Sequence, residues 1–137
     1  MSRIDRVVVE ADGGSRGNPG PAGYGAVVLT EDDEILLERK EFLGVTTNNV
    51  AEYRGMLAGL RAAAELGAHR VDVRMDSKLV VEQMNGNWKV RHPGLKPLQS
   101  EAATLVRGFS DVTFTWIPRA ENLRADALAN EAMNEGR

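Results

Sequence analysis

The 137-residue sequence predicts a single α/β domain, residues 1–137, with helices on the faces of a mixed five-stranded sheet. Three observations lead to this fold class. Short β-branched runs are bounded by Gly, Pro and Asn, which is typical of strands. Ala- and Leu-rich segments repeat their apolar residues at helical spacing. Strand patterns come first along the chain, and helix and strand patterns then alternate.

The first part of the chain predicts an antiparallel meander of three strands. The first strand covers residues 6–12 and is followed by a loop at 13–21, rich in Gly and Pro. Apolar runs at 23–30 and 35–43 predict the next two strands, and the acidic residues 31–34 between them predict a hairpin turn.

The rest of the chain predicts alternating helices and strands. Thr47, Asn48 and Asn49 are capping candidates, and apolar residues at helical spacing follow them until Gly67 ends the helix. The remaining elements are a strand at 70–75, a short helix at 77–84, a helix at 98–108, a strand at 112–117 and a terminal helix at 122–135. A strand that follows a helix implies a parallel crossover, so three antiparallel strands and two parallel ones should form the sheet.

Composition narrows the classes of function. The chain has no cysteine, which excludes a thiol nucleophile, a Cys-based zinc site and disulfides, and is compatible with a reducing cytoplasm. No apolar stretch approaches the ~18 residues of a membrane span, so we expect a cytoplasmic protein with no membrane partner. A monomer is the default expectation. The formal net charge of -3 argues against nucleic-acid binding, unless part of the negative charge belongs to a metal site.

Four acids stand in unusual positions: Asp12, Glu52, Asp76 and Asp126. Asp12 and Asp76 end apolar strands, where α/β sheets place their ligand sites, and Glu52 and Asp126 come early in helices. Each alone is equally well explained as a turn former or as a partner of a helix dipole. If the four converge, a divalent cation would neutralise them. Carboxylates suit Mg²⁺ or Mn²⁺, and a pair of ions ~3.5–4 Å apart is typical of phosphoryl displacement.

Four segments, residues 12–20, 47–52, 75–77 and 125–130, together resemble the motif set of a type 1 ribonuclease H. The resemblance runs from about residue 6 to residue 133 and so covers nearly the whole chain. It implies a ribonuclease H-like fold and an endonuclease that cuts the RNA strand of an RNA/DNA hybrid, leaving 5′-phosphate and 3′-hydroxyl ends. The four acids would be the catalytic residues and would hold two Mg²⁺ ions, with Mn²⁺ as the alternative.

The resemblance also implies a substrate-binding surface. Its expected members are Gly13, Gly14, Ser15, Arg16, Asn18, Thr47, Asn48, Asn49, Ser77, Trp88 and Lys89. Short polar side chains and exposed backbone suit the 2′-hydroxyls of the wide minor groove. The ordinary alternatives are an Asn-Pro turn at Asn18, helix caps at Asn48 and Asn49, and a core position for Trp88.

The sequence departs from the family pattern in two places. Many members carry a longer basic helix with Trp, whereas this chain has only a short basic and aromatic cluster within residues 88–96, which includes Trp88 and Lys89. Some members also use a loop His before the last acid. Here Arg119 or Glu121 would take over part of that role in product release, or would simply be an exposed loop charge.

Two other functions stay open at this level. The first is a hybrid-binding module that has lost catalysis, against which the complete set of four acids argues. The second is another nuclease or a recombinase of the same fold. The sequence leaves open whether the chain is a whole protein or one domain of a longer one.

Overall fold

The computed structural model describes residues 4–136 and contains a five-stranded sheet in the order β3-β2-β1-β4-β5. The strands are β1 (Arg6–Ser15), β2 (Gly20–Leu29), β3 (Ile35–Thr46), β4 (Arg70–Met75) and β5 (Asp111–Trp116). β1, β2 and β3 pair antiparallel, while β4 pairs parallel with both β1 and β5. The predicted fold class, a mixed sheet of three antiparallel strands and two parallel ones, is confirmed.

The helices are α1 (Asn48–Glu65), α2 (Lys78–Met84), α3 (Lys96–Val106) and α4 (Leu123–Glu135), and a short 3-10 turn (Arg119–Glu121) precedes α4. Alternate residues of β1 separate the two faces of the sheet. Val7 and Val9 belong to the main core, which α1 covers, whereas Val8 packs with Leu128 of α4 in a smaller cluster. The central strands, where the candidate metal ligands lie, therefore have a helix packed against each face of the sheet.

The first strand is longer than the sequence predicted. β1 continues past Asp12 to Ser15, and Gly13 pairs with Tyr24 while Ser15 pairs with Ala22. The glycines that predicted a loop instead allow close packing: a Cβ on Gly13 would lie 2.3 Å from the backbone carbonyl of Ala51 in α1. Asp12 consequently lies inside a strand, and the loop shortens to residues 16–19.

Side-chain caps fix the beginnings of the two helices that carry or follow site residues. Thr47 caps α1 by accepting a hydrogen bond from the Val50 amide at 3.3 Å, and Ser77 caps α2 by accepting one from the Val80 amide at 3.3 Å. Glu52 therefore lies in the second turn of α1. None of the helices described between residues 4 and 136 is long and apolar enough to cross a membrane.

Candidate metal centre

Three carboxylates meet at the end of the central strands. Asp12, Glu52 and Asp76, here called the site trio, each offer an oxygen, and these oxygens all lie within 4.8 Å of one another. β1 supplies Asp12, α1 supplies Glu52, and Asp76 directly follows β4. The parallel pairing of β1 with β4 ends at Glu10 and Arg74, so the site trio occupies the position where the two strands separate.

The fourth predicted acid, Asp126, lies in the first turn of α4 and lines the same cavity of about 510 Å³ as the site trio. Its carboxyl is close enough to Asp12 to help raise the pKa of that residue. It is not part of the compact group within 4.8 Å. The sequence predicted that four acids would converge, and the structure places three together and the fourth on the cavity wall.

The site trio carries unfavourable negative charge. Burial, together with the charges of Glu52 and Asp76, raises the pKa of Asp12 to about 9. Burial also raises the pKa of Glu52 to about 7, although the Gly13 amide donates a hydrogen bond to its Oε1 at 2.7 Å. Within residues 4–136, no Lys, Arg or His forms an ion pair with the site trio.

The chemistry of these groups fits a hard divalent cation. All the converging donors are carboxylate oxygens, which are the ligands that Mg²⁺ and Mn²⁺ prefer. A bound cation would also offset the burial and the like-charge repulsion that raise the pKa of Asp12 and Glu52.

The predicted substrate residues at the cavity rim hold one another in place. Gly13, Gly14, Ser15, Arg16, Asn48 and Asn49 line the cavity. The Ser15 amide and hydroxyl both donate to Asn48 Oδ1, at 2.7 and 3.0 Å. Asn18 does not line the cavity, but its Oδ1 accepts from the Asn48 amide at 3.1 Å and so joins the loop to the start of α1. Thr47 and Ser77 do not line the cavity, and their side chains cap α1 and α2.

Trp88 and Lys89 lie outside this cavity, in the segment that follows α2. The core alternative for Trp88 is wrong, because the residue is 45% exposed. The Lys89 carbonyl accepts a hydrogen bond from Gln83 Nε2 at 3.4 Å, and Gln83 Oε1 accepts one from the buried Tyr53 hydroxyl at 2.6 Å. The exposed segment is thus anchored to α2 and, through Gln83, to α1.

The loop candidates Arg119 and Glu121 both belong to the 3-10 turn before α4. Arg119 lines the cavity, and its Nη2 lies 3.7 Å from Asp126 Oδ1. Glu121 is exposed and does not line the cavity.

Sequence reasoning missed Asn122, which is fully buried and donates from Nδ2 to Asp76 Oδ1 at 3.1 Å. The sequence placed it only at the start of the terminal helix, and no pattern indicated a contact with a residue 46 positions away. It also missed Ala129, Asn130 and Met133 of α4, which line the same cavity.

Fold and site together define a class: a hydrolytic enzyme with a carboxylate metal centre on a mixed sheet. A family profile described as reverse transcriptase-like matches residues 10–132. Ribonuclease HI of Halobacterium salinarum is 45% identical over 133 residues, covering 97% of this chain and 67% of the relative. The chain belongs to the type 1 ribonuclease H family.

Two further similarities agree with this assignment. The bifunctional protein Rv2228c of Mycobacterium tuberculosis is 59% identical over 130 residues, covering 94% of this chain but 36% of the relative, so the chain spans about a third of that protein. The solved N-terminal RNase H domain of Rv2228c has a TM-score of 0.94 and 58% identity, covering 96% of this chain and 95% of that one. LC11-RNase H1, solved in complex with an RNA/DNA hybrid, has a TM-score of 0.91 and 41% identity over 95% of this chain and 98% of that one.

Proposed function

We propose that this chain is an endonuclease that hydrolyses the RNA strand of RNA/DNA hybrids and leaves 5′-phosphate and 3′-hydroxyl ends. The observation that carries the proposal is the site trio, whose three carboxylate oxygens lie within 4.8 Å of one another without a Lys, Arg or His partner among residues 4–136. Family membership and the hybrid-bound LC11-RNase H1 support it.

Two Mg²⁺ ions would be held by Asp12, Glu52 and Asp76 as the central ligands and by Asp126 at the cavity wall; the convergence of the first three carboxylates supports this assignment. Mg²⁺ ions there would lower the pKa of an attacking water and neutralise charge on the departing oxygen. Mn²⁺ fits the same ligands. The raised pKa values of Asp12 and Glu52 mean that ion binding would release protons near neutral pH.

The rim supplies groups that suit an RNA strand. Asn48 and Asn49 are exposed at the start of α1 and line the cavity beside Glu52. Their amides, together with the Ser15 hydroxyl, combine donors and acceptors of the kind that contact 2′-hydroxyls in a minor groove. Asn18 and Thr47 would support this surface from behind, since Asn18 bonds the Asn48 amide and Thr47 caps α1.

The exposed Trp88 and the adjacent Lys89 would contact the DNA strand beyond the cavity, by stacking and by phosphate attraction. This patch is short, so we expect few phosphate contacts, weak binding of the DNA strand and a shallow dependence of affinity on salt. We further propose that the chain acts as a monomer in the cytoplasm. The cysteine-free composition suits a reducing compartment.

The proposal is tested by incubating the chain with an end-labelled RNA/DNA hybrid, duplex DNA and duplex RNA, each with Mg²⁺ and with a chelator. We expect Mg²⁺-dependent cuts in the RNA strand of the hybrid alone, with ends that a 5′-phosphate-dependent exonuclease can degrade. Binding without cutting would favour the inactive hybrid-binding module. Cutting of duplex DNA would favour another nuclease of this fold.

A further inference from the structure

Asn122 joins three elements of the metal centre. It lies between the 3-10 turn and α4, and none of its surface is exposed. Its Nδ2 donates to the Ala11 carbonyl of β1 at 2.9 Å and to Asp76 Oδ1, after β4, at 3.1 Å. One amide group therefore connects the start of the helix that carries Asp126 with both strands that carry the acids.

The orientation of this amide follows from its neighbours. A backbone carbonyl can only accept hydrogen bonds, so the group that faces the Ala11 carbonyl has to donate. Turning the amide over would place Oδ1 against the Ala11 carbonyl and Asp76 Oδ1, which are both acceptors. The two neighbouring acceptors therefore place Asn122 Nδ2, and not Oδ1, next to Asp76.

These two hydrogen bonds leave other interactions of the Asn122 side chain unmade. Asn is among the preferred residues at a helix N-cap, yet Asn122 makes no side-chain cap to α4, whereas Thr47 and Ser77 cap their helices. Its Oδ1 is buried and has no hydrogen-bond partner within the part of the chain that the structure describes. A missing side-chain cap and an unsatisfied buried oxygen both reduce the stability of the folded chain. Such costs concentrate where a site requires a particular geometry.

We propose that Asn122 is a positioning residue of the metal centre, which fixes the orientation of the Asp76 carboxylate and holds it against β1 next to Asp12. The proposal rests on the function proposed above. Groups that hydrogen-bond to metal ligands determine how those ligands face the ion, and their loss typically lowers metal affinity or activity by about 10–100-fold. Asn122 never needs to touch substrate to have this effect.

The test compares Asn122→Leu, which keeps the approximate shape but removes the donor, with Asn122→Ala, which also leaves a cavity. Asn85→Ala is the matched control, because Asn85 Nδ2 likewise donates to a strand carbonyl, that of Phe114 at 3.1 Å, away from the acids. Mg²⁺ affinity is measured by calorimetry, folding by thermal unfolding without metal, and kcat and KM by hybrid cleavage.

We expect both Asn122 variants to bind Mg²⁺ about tenfold more weakly or worse. Their kcat should fall at low Mg²⁺ and recover in part at high Mg²⁺, while KM for the hybrid stays close to the native value. Asn85→Ala should retain native Mg²⁺ affinity. Unchanged Mg²⁺ affinity and kcat in folded variants would overturn the proposal, and so would a complete loss of folding in both, which would assign Asn122 to the domain as a whole. Should the native chain bind Mg²⁺ but fail to cut the hybrid, the proposed function fails while the affinity comparison still tests Asn122.

Discussion

Two groups of acids lie along or just beyond β1 and β4, and each has a buried member on β1, yet their surroundings are opposite. Glu10 of β1 and Asp72 of β4, here called the paired acids, are 4% and 7% exposed, and Asp12 of the site trio is 8% exposed. Glu10 and Asp12 are only two residues apart and face the same side of the sheet. Burial alone therefore does not distinguish a structural acid from a candidate metal ligand in this chain.

The paired acids each have a cation. Glu10 accepts two hydrogen bonds from Arg124 of α4, each 3.0 Å long. Asp72 accepts from Arg74 Nε at 2.8 Å and from two threonine hydroxyls of β5 at 2.8 and 2.9 Å. Burial acts to raise the pKa of Asp72, but these hydrogen bonds outweigh it and hold the pKa below its ordinary value.

In the site trio the pKa shift has the opposite sign. Burial dominates at Asp12 and raises its pKa to about 9, since the neighbouring charges of Glu52 and Asp76 are also negative. Arginine side chains thus pair with the buried acids Glu10 and Asp72, whereas no arginine among residues 4–136 pairs with the site trio. The missing positive charge is the part that a divalent cation would provide.

The largest effect should come from Asp76→Asn, which removes one negative charge of the site trio while nearly preserving shape. We expect kcat for hybrid cleavage to fall by about 10³-fold or more, because a metal ligand is lost. Thermal unfolding without metal should be unchanged or occur at higher temperature, since repulsion within the site trio decreases. Near-native activity in this variant would refute the metal assignment.

The pH dependence of stability should differ between the two groups of acids. Above pH ~4 the unfolded chain ionises its carboxyls, whereas the folded chain keeps protons on Glu52 and Asp12 up to about pH 7 and 9. The folded state binds more protons in this window, so the free energy of unfolding should fall as pH rises. Asp72 acts in the other direction, and its contribution is lost only as pH falls below ~4.

This prediction is checked by thermal unfolding of the metal-free chain from pH 5 to pH 9. We expect the unfolding temperature to fall by several degrees, and to fall less with saturating Mg²⁺ or in Asp12→Asn. A metal-free chain that becomes more stable over this range would contradict the raised pKa values.

Glu10→Gln should have a smaller effect, and on stability rather than on chemistry. The change removes the Glu10 carboxylate from Arg124, but Arg124 keeps Asp33 Oδ1 at 3.6 Å, and its side chain is 42% exposed and can turn towards water. We therefore expect a loss of about 1–2 kcal/mol, between the values for surface and buried pairs. Urea unfolding measures it, with Glu31→Gln in the hairpin turn as an exposed control. If kcat falls more than stability explains, Glu10 belongs functionally with the site trio.

The sequence was sufficient for the element order because each strand and helix carries its own periodicity. The same periodicity showed that Asp12 and Asp76 end strands and that Glu52 and Asp126 come early in helices, which predicted that all four lie at one end of the sheet. It could not show that β1 continues through Gly13 to Ser15, since glycine is equally compatible with a loop. Nor could it show Asn122 bonded to Asp76, because that contact depends on how α4 docks against the strands.

Arg119→Ala should have the smallest effect on stability. It extends the comparison between the paired acids and the site trio to the fourth acid, Asp126. Arg119 makes the single ion pair that a site acid forms within residues 4–136, with Asp126 at 3.7 Å, yet its side chain is 76% exposed. An ion pair so open to solvent contributes little to stability, in contrast to the two-bond pairing of Arg124 with Glu10. We expect an unfolding temperature within about 1 °C of native.

If Arg119 takes part in product release, steady-state turnover should fall by about two- to fivefold and depend less on salt, while the single-turnover rate stays native. Arg107→Ala, at the end of α3, removes the same charge far from the acids and should leave both rates unchanged. Unaltered turnover and salt dependence in Arg119→Ala would make Arg119 an ordinary loop charge. The site acids would then have no functional cation partner in the described chain, which would increase the contrast with the paired acids.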